Sequence, residues 1–260
     1  MSLIGRLEEQ RELQRYCESA EAEFVVIYGR RRVGKTYLVR RFFDERFAFY
    51  ATGVAGGRKT TQLKGFNAML RRSGGKGTAK DWFDAFEQLR DLIESNEVVR
   101  DESTGKMVVF IDELPWLDTA RSGFLEALEF FWNSWASAQS DLLLIACGSA
   151  TSWIIKNLLN NRGGLHNRVT GVIRLAPFTL AETEQMLHSN GLALTRREVM
   201  EAYMVFGGVP YYLRLLNRRY SLVQNIDLLC FSQSGRLRNE FDALFRALFR
   251  RSEQIGRAHV

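Results

Sequence analysis

The sequence predicts an α/β protein, a parallel sheet flanked by helices and followed by a smaller helical unit. Three observations carry that expectation. Short apolar runs rich in β-branched residues alternate with longer amphipathic segments, the pattern of β-α-β units. The first of these runs ends directly on a glycine-containing loop that leads into a helical segment. After Pro177 the strand-like runs stop and only helical periodicity continues.

Taken in order, the strand-like runs are Phe24–Tyr28, Phe47–Ala51, Met107–Ile111, Leu142–Ala146 and Val172–Leu175. Each is nearly continuous in apolar character, as strands buried on both faces should be. Between the third and fourth, Phe124, Leu125, Leu128, Phe131, Trp132 and Trp135 fall on one helical face. That aromatic stripe predicts core packing, not a ligand box. The stretch around Gly74-Gly75-Lys76-Gly77 reads as the flexible interior loop. Beyond Pro177, the segments Thr179–Ser189, Arg196–Phe206, Tyr211–Asn217 and Glu240–Arg250 read as helices.

Residues Gly29 to Thr36 read Gly-Arg-Arg-Arg-Val-Gly-Lys-Thr and fit G-x-x-x-x-G-K-[ST], the loop that wraps a nucleoside triphosphate in backbone N–H groups. A strand ends at Gly29, and Tyr37 to Phe43 continue at helical spacing. A helix N-terminus, with unpaired donors and a positive dipole, is thereby set against the phosphates. The expected nucleotide-binding residues are Gly29, Arg30, Arg31, Arg32, Val33, Gly34, Lys35, Thr36 and Tyr37. Lys35 is expected to bridge the β- and γ-phosphates and offset charge that develops in the transition state.

Hydrolysis needs a metal ligand and a group that positions water. The run Met107-Val108-Val109-Phe110-Ile111-Asp112-Glu113 offers both. Asp112, at the end of a buried strand, is placed to hold Mg²⁺ directly or through water beside the Thr36 hydroxyl. Glu113 is placed to orient and deprotonate the attacking water. The fourth strand runs into Cys147-Gly148-Ser149-Ala150-Thr151, where Ser149 is either a γ-phosphate sensor or a helix N-cap, with Thr151 as its substitute. Arg168, with Arg162 as second choice, is a candidate to bring positive charge to its own or a neighbour's γ-phosphate; the alternative is a solvated arginine. His166 lacks a partner pattern for metal or nucleophilic work and reads as structural.

Length and composition set outer bounds. A chain of 260 residues, 46% hydrophobic and 25% charged, can bury a substantial core as one large or two modest domains. The net charge of +6 suits anionic partners, but Arg30, Arg31, Arg32, Lys35, Arg40 and Arg41 cluster in or beside the phosphate loop and account for part of it. Cys17, Cys147 and Cys230 are few and widely separated, which argues against a disulfide framework or a zinc site and suits a reducing cytoplasm. The longest apolar runs are far too short to span a bilayer, and the Glu- and Arg-rich start does not resemble a signal peptide.

In combination, further segments resemble one known family. They are Leu3-Ile4-Gly5-Arg6-Leu7-Glu8-Glu9, Tyr-Gly-Arg-Arg-Arg-Val-Gly-Lys-Thr, Phe-Ile-Asp-Glu-Leu-Pro-Trp, Cys-Gly-Ser-Ala-Thr-Ser-Trp, Leu-His-Asn-Arg-Val-Thr, Pro-Phe-Thr-Leu and Phe-Gly-Gly-Val-Pro-Tyr-Tyr-Leu. From Leu3 to Phe249 the chain resembles the archaeal-type ATPases, a family within the STAND and AAA+-related P-loop ATPases, and in particular its bacterial representatives. The resemblance implies a P-loop NTPase fold with a helical lid and ATP and Mg²⁺ as cofactors. It implies that Gly5, Arg6 and Glu9 pack near the adenine, and that Gly207-Gly208-Val209-Pro210 reports nucleotide state from the lid. Family members usually continue into a winged helix and often a nuclease-like domain.

The expected organisation is an ATPase core at 1–177, a helical lid at 178–235 and the first part of a truncated winged helix at 236–254. Residues Ile255–Val260 read as translation of ATCGGAAGAGCACACGTC, a string resembling a common sequencing-library adapter, so the natural protein is expected to continue beyond about Gln254. The leading functional reading is a cytoplasmic Mg²⁺-dependent ATPase that drives a conformational switch. The alternatives are a slow-turnover regulatory ATP/ADP-binding module and a DNA-associated ATPase of a mobile-element or defence system. Partner expectations are ATP and ADP, DNA through the missing C-terminal region, no membrane, and oligomerisation on ATP binding. A GTPase is disfavoured by the lack of an Asn-Lys-x-Asp motif, and a small-molecule kinase by a helical unit that follows the sheet instead of interrupting it.

Overall fold

The computed structural model describes residues 3–95, 97–160 and 167–240. The chain divides into two compact units, one of Met1–Arg30 and Lys35–Leu175, the other of Arg31–Gly34 and Ala176–Val260. The predicted helix over Glu240–Arg250, all but its first residue, lies outside the described residues, as do Arg162, His166 and Ile255–Val260.

The first unit is built on five parallel strands: β1 (Glu23–Tyr28), β2 (Phe49–Thr52), β3 (Met107–Asp112), β4 (Leu142–Gly148) and β5 (Gly171–Arg174). They lie in the order β2-β3-β4-β1-β5. Every residue of β3 and β4 is buried, which is why these strands read as unbroken apolar runs and not as alternating ones. The second strand starts two residues later than its sequence pattern suggests. Ala48 already pairs its N–H with the Val108 carbonyl, but the regular ladder begins at Phe49 opposite Val109.

Helices α1 (Leu7–Glu18), α2 (Lys35–Phe42), α3 (Lys59–Arg72), α4 (Trp82–Glu94), α5 (Phe124–Ser134) and α6 (Thr151–Ile154, continuing as a wider turn through Leu159) flank the sheet. The stripe on α5 is core, as expected. Phe124 packs edge-on against Trp82 at 4.9 Å, and Phe131 lies 5.2 Å from Phe86. Trp82, 1% exposed, also meets Phe66 of α3 edge-on at 5.5 Å. Truncating such a residue to alanine costs about 3–5 kcal/mol. The glycine loop between α3 and α4 is held at both ends. Gly75 donates to the Leu70 carbonyl, and Asn67 exchanges two hydrogen bonds with the backbone of Ala79. On the far edge, a Cβ on Gly171 would stand 2.3 Å from the Tyr16 ring, so α1 rests directly on the start of β5.

The described part of the second unit is helical: α7 (Leu180–Ser189), α8 (Arg196–Phe206), α9 (Pro210–Leu213) and α10 (Leu222–Ile226, continuing through Phe231). Thr179 with Glu182, Thr195 with Glu198, and Ser221 with Gln224 form capping boxes that start α7, α8 and α10. The helix predicted at Tyr211–Asn217 is shorter than expected and begins at Pro210. Its continuation tightens into i,i+3 turns, and the Asn225 side chain takes both backbone groups of Asn217 that a longer helix would have used.

Candidate active site

The sheet order puts the loop after β1 at a topological switch point. The connection from β1 to β2 travels past β4 and β3, whereas the one from β4 to β5 crosses to the other side of β1. Crevices at the carboxyl ends of strands beside such a reversal are where open α/β sheets bind ligands. Register levels the three strands involved, with Tyr28 opposite Gly148 and Ile111 opposite Ala146. The residues at or just past the end of each strand therefore emerge at one edge: Gly29 onward, Asp112–Glu113 and Ser149.

Those side chains are joined by a continuous run of hydrogen bonds. Thr36 Oγ1 donates to Asp112 Oδ2 at 2.8 Å, and the Glu113 N–H donates to Asp112 Oδ1 at 2.9 Å. Ser149 Oγ lies 2.9 and 3.0 Å from the two carboxylate oxygens of Glu113 and donates to them. Lys35, buried, donates from Nζ to the carbonyls of Gly29 and Arg30, both at 3.0 Å. Asp112 is 4% exposed, and burial raises its carboxyl above the usual range. The negative charge of Glu113 adds to that rise, while the hydrogen bonds from Thr36 and the Glu113 N–H oppose it.

Two backbone features hold Glu113. It adopts φ 45° and ψ 40°, a left-handed conformation uncommon for a residue with a side chain. Gly53, just past β2, donates its N–H to the Asp112 carbonyl at 3.0 Å, and a Cβ there would stand 2.5 Å from the Glu113 carbonyl oxygen. Gly29 is equally confined, since a Cβ at that position would fall 2.2 Å from the Leu175 carbonyl oxygen.

The family model for an ATPase domain found predominantly in Archaea matches residues 3–216. The chain belongs to that family. Membership makes ATP binding and hydrolysis the general activity supported for it. An uncharacterised protein of Methanocaldococcus jannaschii is 27% identical over 212 residues, which are 81% of this chain and 43% of that protein. The chain thus spans less than half the length of this curated relative. Among solved structures, a Walker-type ATPase of Pyrococcus abyssi superposes with a TM-score of 0.67 at 21% identity, covering 94% of this chain and 76% of that one. The Aeropyrum pernix ORC2 protein, in complexes with ADPNP and ADP, gives 0.58 at 14% identity over all of this chain and 69% of its own. These likenesses show a shared P-loop NTPase fold.

Within this archaeal-type ATPase domain, Arg168 corrects one expectation. It is exposed and precedes β5 at the amino-terminal edge of the sheet, where the Thr170 N–H bonds the Phe24 carbonyl. From Phe24 to Gly29 is about 16 Å of strand at ~3.3 Å per residue, so the Arg168 side chain cannot reach a phosphate on its own loop. The cis role is therefore excluded by strand direction. Gly5 and Arg6 both lie in the left-handed region, Arg6 is buried and pairs with Glu9 at 3.2 Å, and Gln10 Nε2 closes the turn on the Gly5 carbonyl. Tyr37 is exposed and stacks with Arg41 at 5.6 Å. Thr151 opens α6 beside Ser149 and, among the described residues, no bond from it to Glu113 is found.

The second unit of the ATPase domain contains a cluster that sequence reasoning missed. Arg32, at φ 69°, places its guanidinium 4.4 Å from the centre of the Tyr211 ring and 5.7 Å from that of Tyr212. The same group pairs with Glu240, whose other oxygen accepts the Tyr212 hydroxyl at 2.9 Å. Pro210, half-buried, is the first residue of α9 and immediately precedes the two tyrosines. The paired tyrosines were visible in the sequence, but nothing local shows that they flank an arginine nearly 180 positions away.

Proposed function

We propose that the protein is a Mg²⁺-dependent ATPase whose turnover drives a conformational switch. The observation that carries this reading is the unbroken run Thr36–Asp112–Glu113–Ser149 at the mouth of a phosphate loop. A hydroxyl and a buried carboxylate 2.8 Å apart form a hard oxygen donor set, the chemistry that Mg²⁺ takes when nucleotide phosphates and water complete its shell. Thr36 and Asp112 would hold it. Bound there, the ion would neutralise charge on the β- and γ-phosphates.

The remaining roles belong to the chain itself. The loop N–H groups and the start of α2 bind and orient the phosphates. Lys35 exchanges two backbone carbonyls for phosphate oxygens, a stronger, charge-assisted contact. Glu113 accepts the proton of the attacking water, and Ser149 fixes the direction its carboxylate faces. Ser149 thus acts through Glu113 and not directly on the γ-phosphate. Gly5, Arg6 and Glu9 form a rigid turn suited to the adenine side of the site.

The switch would run through Arg32. Its ion pair with Glu240 competes with any phosphate that needs the same guanidinium, so triphosphate and the Tyr211–Tyr212–Glu240 cluster draw on one group. Arg168 is left either a role toward a neighbouring copy or none, as a solvated arginine. Steady-state phosphate release tests the enzyme reading. Wild type should turn over with Mg²⁺, while Glu113→Gln should bind ATP and release phosphate at least about 100-fold more slowly. Equal, slow release from both would leave a regulatory ATP/ADP-binding module instead.

A further inference from the structure

The charge of this chain is concentrated in one place. From Phe47 to Lys80 there are seven Lys and Arg and no Asp or Glu, whereas the rest of the chain holds 29 Lys and Arg against 30 Asp and Glu. Those 34 residues carry +7, whereas the rest of the chain, its phosphate-loop cations included, is offset by acidic residues to −1. Arg58, Lys59, Lys64, Arg71 and Arg72 lie on α3 or its N-cap. Lys76 and Lys80 follow in the loop to α4. Six of the seven are exposed and Lys59 is half-buried. Among the described residues none of them forms an ion pair, although seven arginines elsewhere do.

The two faces of α3 are sharply different. Leu63, Phe66 and Leu70 enter the core, and the amides of Gln62 and Asn67 are buried and spent on the backbone of Val54, Gly57 and Ala79. At 100° per residue, Thr61, Lys64, Gly65, Ala68, Arg71 and Arg72 share about 120° of the opposite face. This face alternates cations with small residues and holds neither an aromatic ring nor a free amide. Gly65 is the telling position. Glycine inside a helix is destabilising relative to alanine, yet a Cβ at Gly65 would meet nothing within 4 Å. Internal packing gives no reason for it. A smooth spot between cations lets another molecule's backbone come close.

We propose that the exposed face of α3, with the loop to α4, docks duplex nucleic acid through its phosphodiester backbone without reading sequence. Fourteen residues of helix run about 21 Å, close to six base-pair steps at ~3.4 Å each. Its arginines and lysine could touch guanine edges, but the face has no free amide to read adenine and no aromatic platform for single strands, so phosphates are the partners it suits throughout. Phosphate contacts alone bind weakly and with steep salt dependence.

Fluorescence anisotropy with a labelled 24-base-pair duplex over a KCl series, using the whole chain, tests this. Wild type should bind at low salt and weaken linearly in log–log form. The double variant Lys64→Glu, Arg72→Glu should lose at least about tenfold in affinity, and its salt slope should fall by roughly 2. The matched reversal Arg196→Glu, Arg197→Glu on α8 should bind as wild type does. Gly65→Leu keeps every charge, and with an unchanged melting temperature it should still lose affinity. Similar binding of DNA and RNA duplexes supports backbone recognition, and preference for one names the source. Lack of wild-type binding at low salt, preference for single strands, equal effects of the α3 and α8 reversals, or wild-type affinity in Gly65→Leu would each overturn the proposal. ATP affinity, followed in parallel, should be the same in all these variants, so the outcome is independent of the ATPase reading.

Discussion

Ser149 and Glu113 lie 36 positions apart, and the serine hydroxyl reaches both oxygens of the glutamate carboxylate, at 2.9 and 3.0 Å. The pairing follows from adjacent parallel strands, since Glu113 directly follows β3 and Ser149 directly follows β4. If Ser149 orients the base, its loss should slow turnover without weakening nucleotide binding. Ser149→Ala is expected to lower kcat about tenfold with ATP Kd unchanged, while Ser149→Thr, which keeps the hydroxyl, should recover much of the rate. Direct sensing of the γ-phosphate would instead move ATP affinity away from ADP affinity, and paired titrations with both nucleotides separate the two roles.

Gly53 supports the same glutamate from the backbone side. A methyl group at that position would press on the Glu113 carbonyl oxygen and on Trp116 Cβ, at 2.5 and 2.8 Å. Gly53→Ala should therefore displace the base and reduce kcat by roughly tenfold or more, since about 1 Å of misplacement can cost that much. A far-ultraviolet spectrum like that of wild type, with retained ATP binding, would tie the loss to Glu113 and not to unfolding.

Asp112 carries a stability cost with a definite sign. Burial raises its folded-state pKa, so its ionised form opposes folding. The favourable contribution of the protonated form is complete below the unfolded pKa and is lost as pH rises through the folded value. Without nucleotide or Mg²⁺, Asp112→Asn should thus melt at a higher temperature than wild type at pH 7, and the difference should shrink as pH falls toward 4. Thermal melts across that range check the direction. The same variant should lose Mg²⁺-dependent turnover.

Gly208 sits where no other residue fits. Its φ is 64°, and a Cβ would fall 2.3 Å from the Phe178 carbonyl oxygen while its own carbonyl accepts the Phe178 N–H. Gly208→Ala is expected to cost about 1–3 kcal/mol, whereas Gly207→Ala, with open space around it, should cost less. Chemical denaturation of the two variants side by side gives the comparison.

Much of this molecule could be read from residues in order. The strands were legible because burial on both faces leaves them apolar without interruption, as in Leu142 to Ala146. The phosphate loop and Asp112–Glu113 were legible because their chemistry needs those residue types at fixed spacing. The start of α10 was missed despite its Ser221–Gln224 capping box, because the periodicity that follows is weak. The partner of Ser149 and the companions of Arg32 were not legible, since each depends on which distant segments the fold brings together. The choice between roles for Arg168 was left open for a related reason. Its motif does not say that it enters the sheet at the far edge.

One close approach has mechanical meaning. The atom that leaves no room for a side chain at Gly29 is the carbonyl oxygen of Leu175, and the peptide carrying it is the last before the chain crosses from the sheet unit to the helical one. The Leu175 N–H is also tied to the Tyr28 carbonyl at 2.8 Å. The first residue of the phosphate loop and the exit of the backbone are therefore in register like two teeth of a gear. At this point the phosphate loop and the end of the sheet meet backbone to backbone, and any side chain added at Gly29 would have to push that peptide aside.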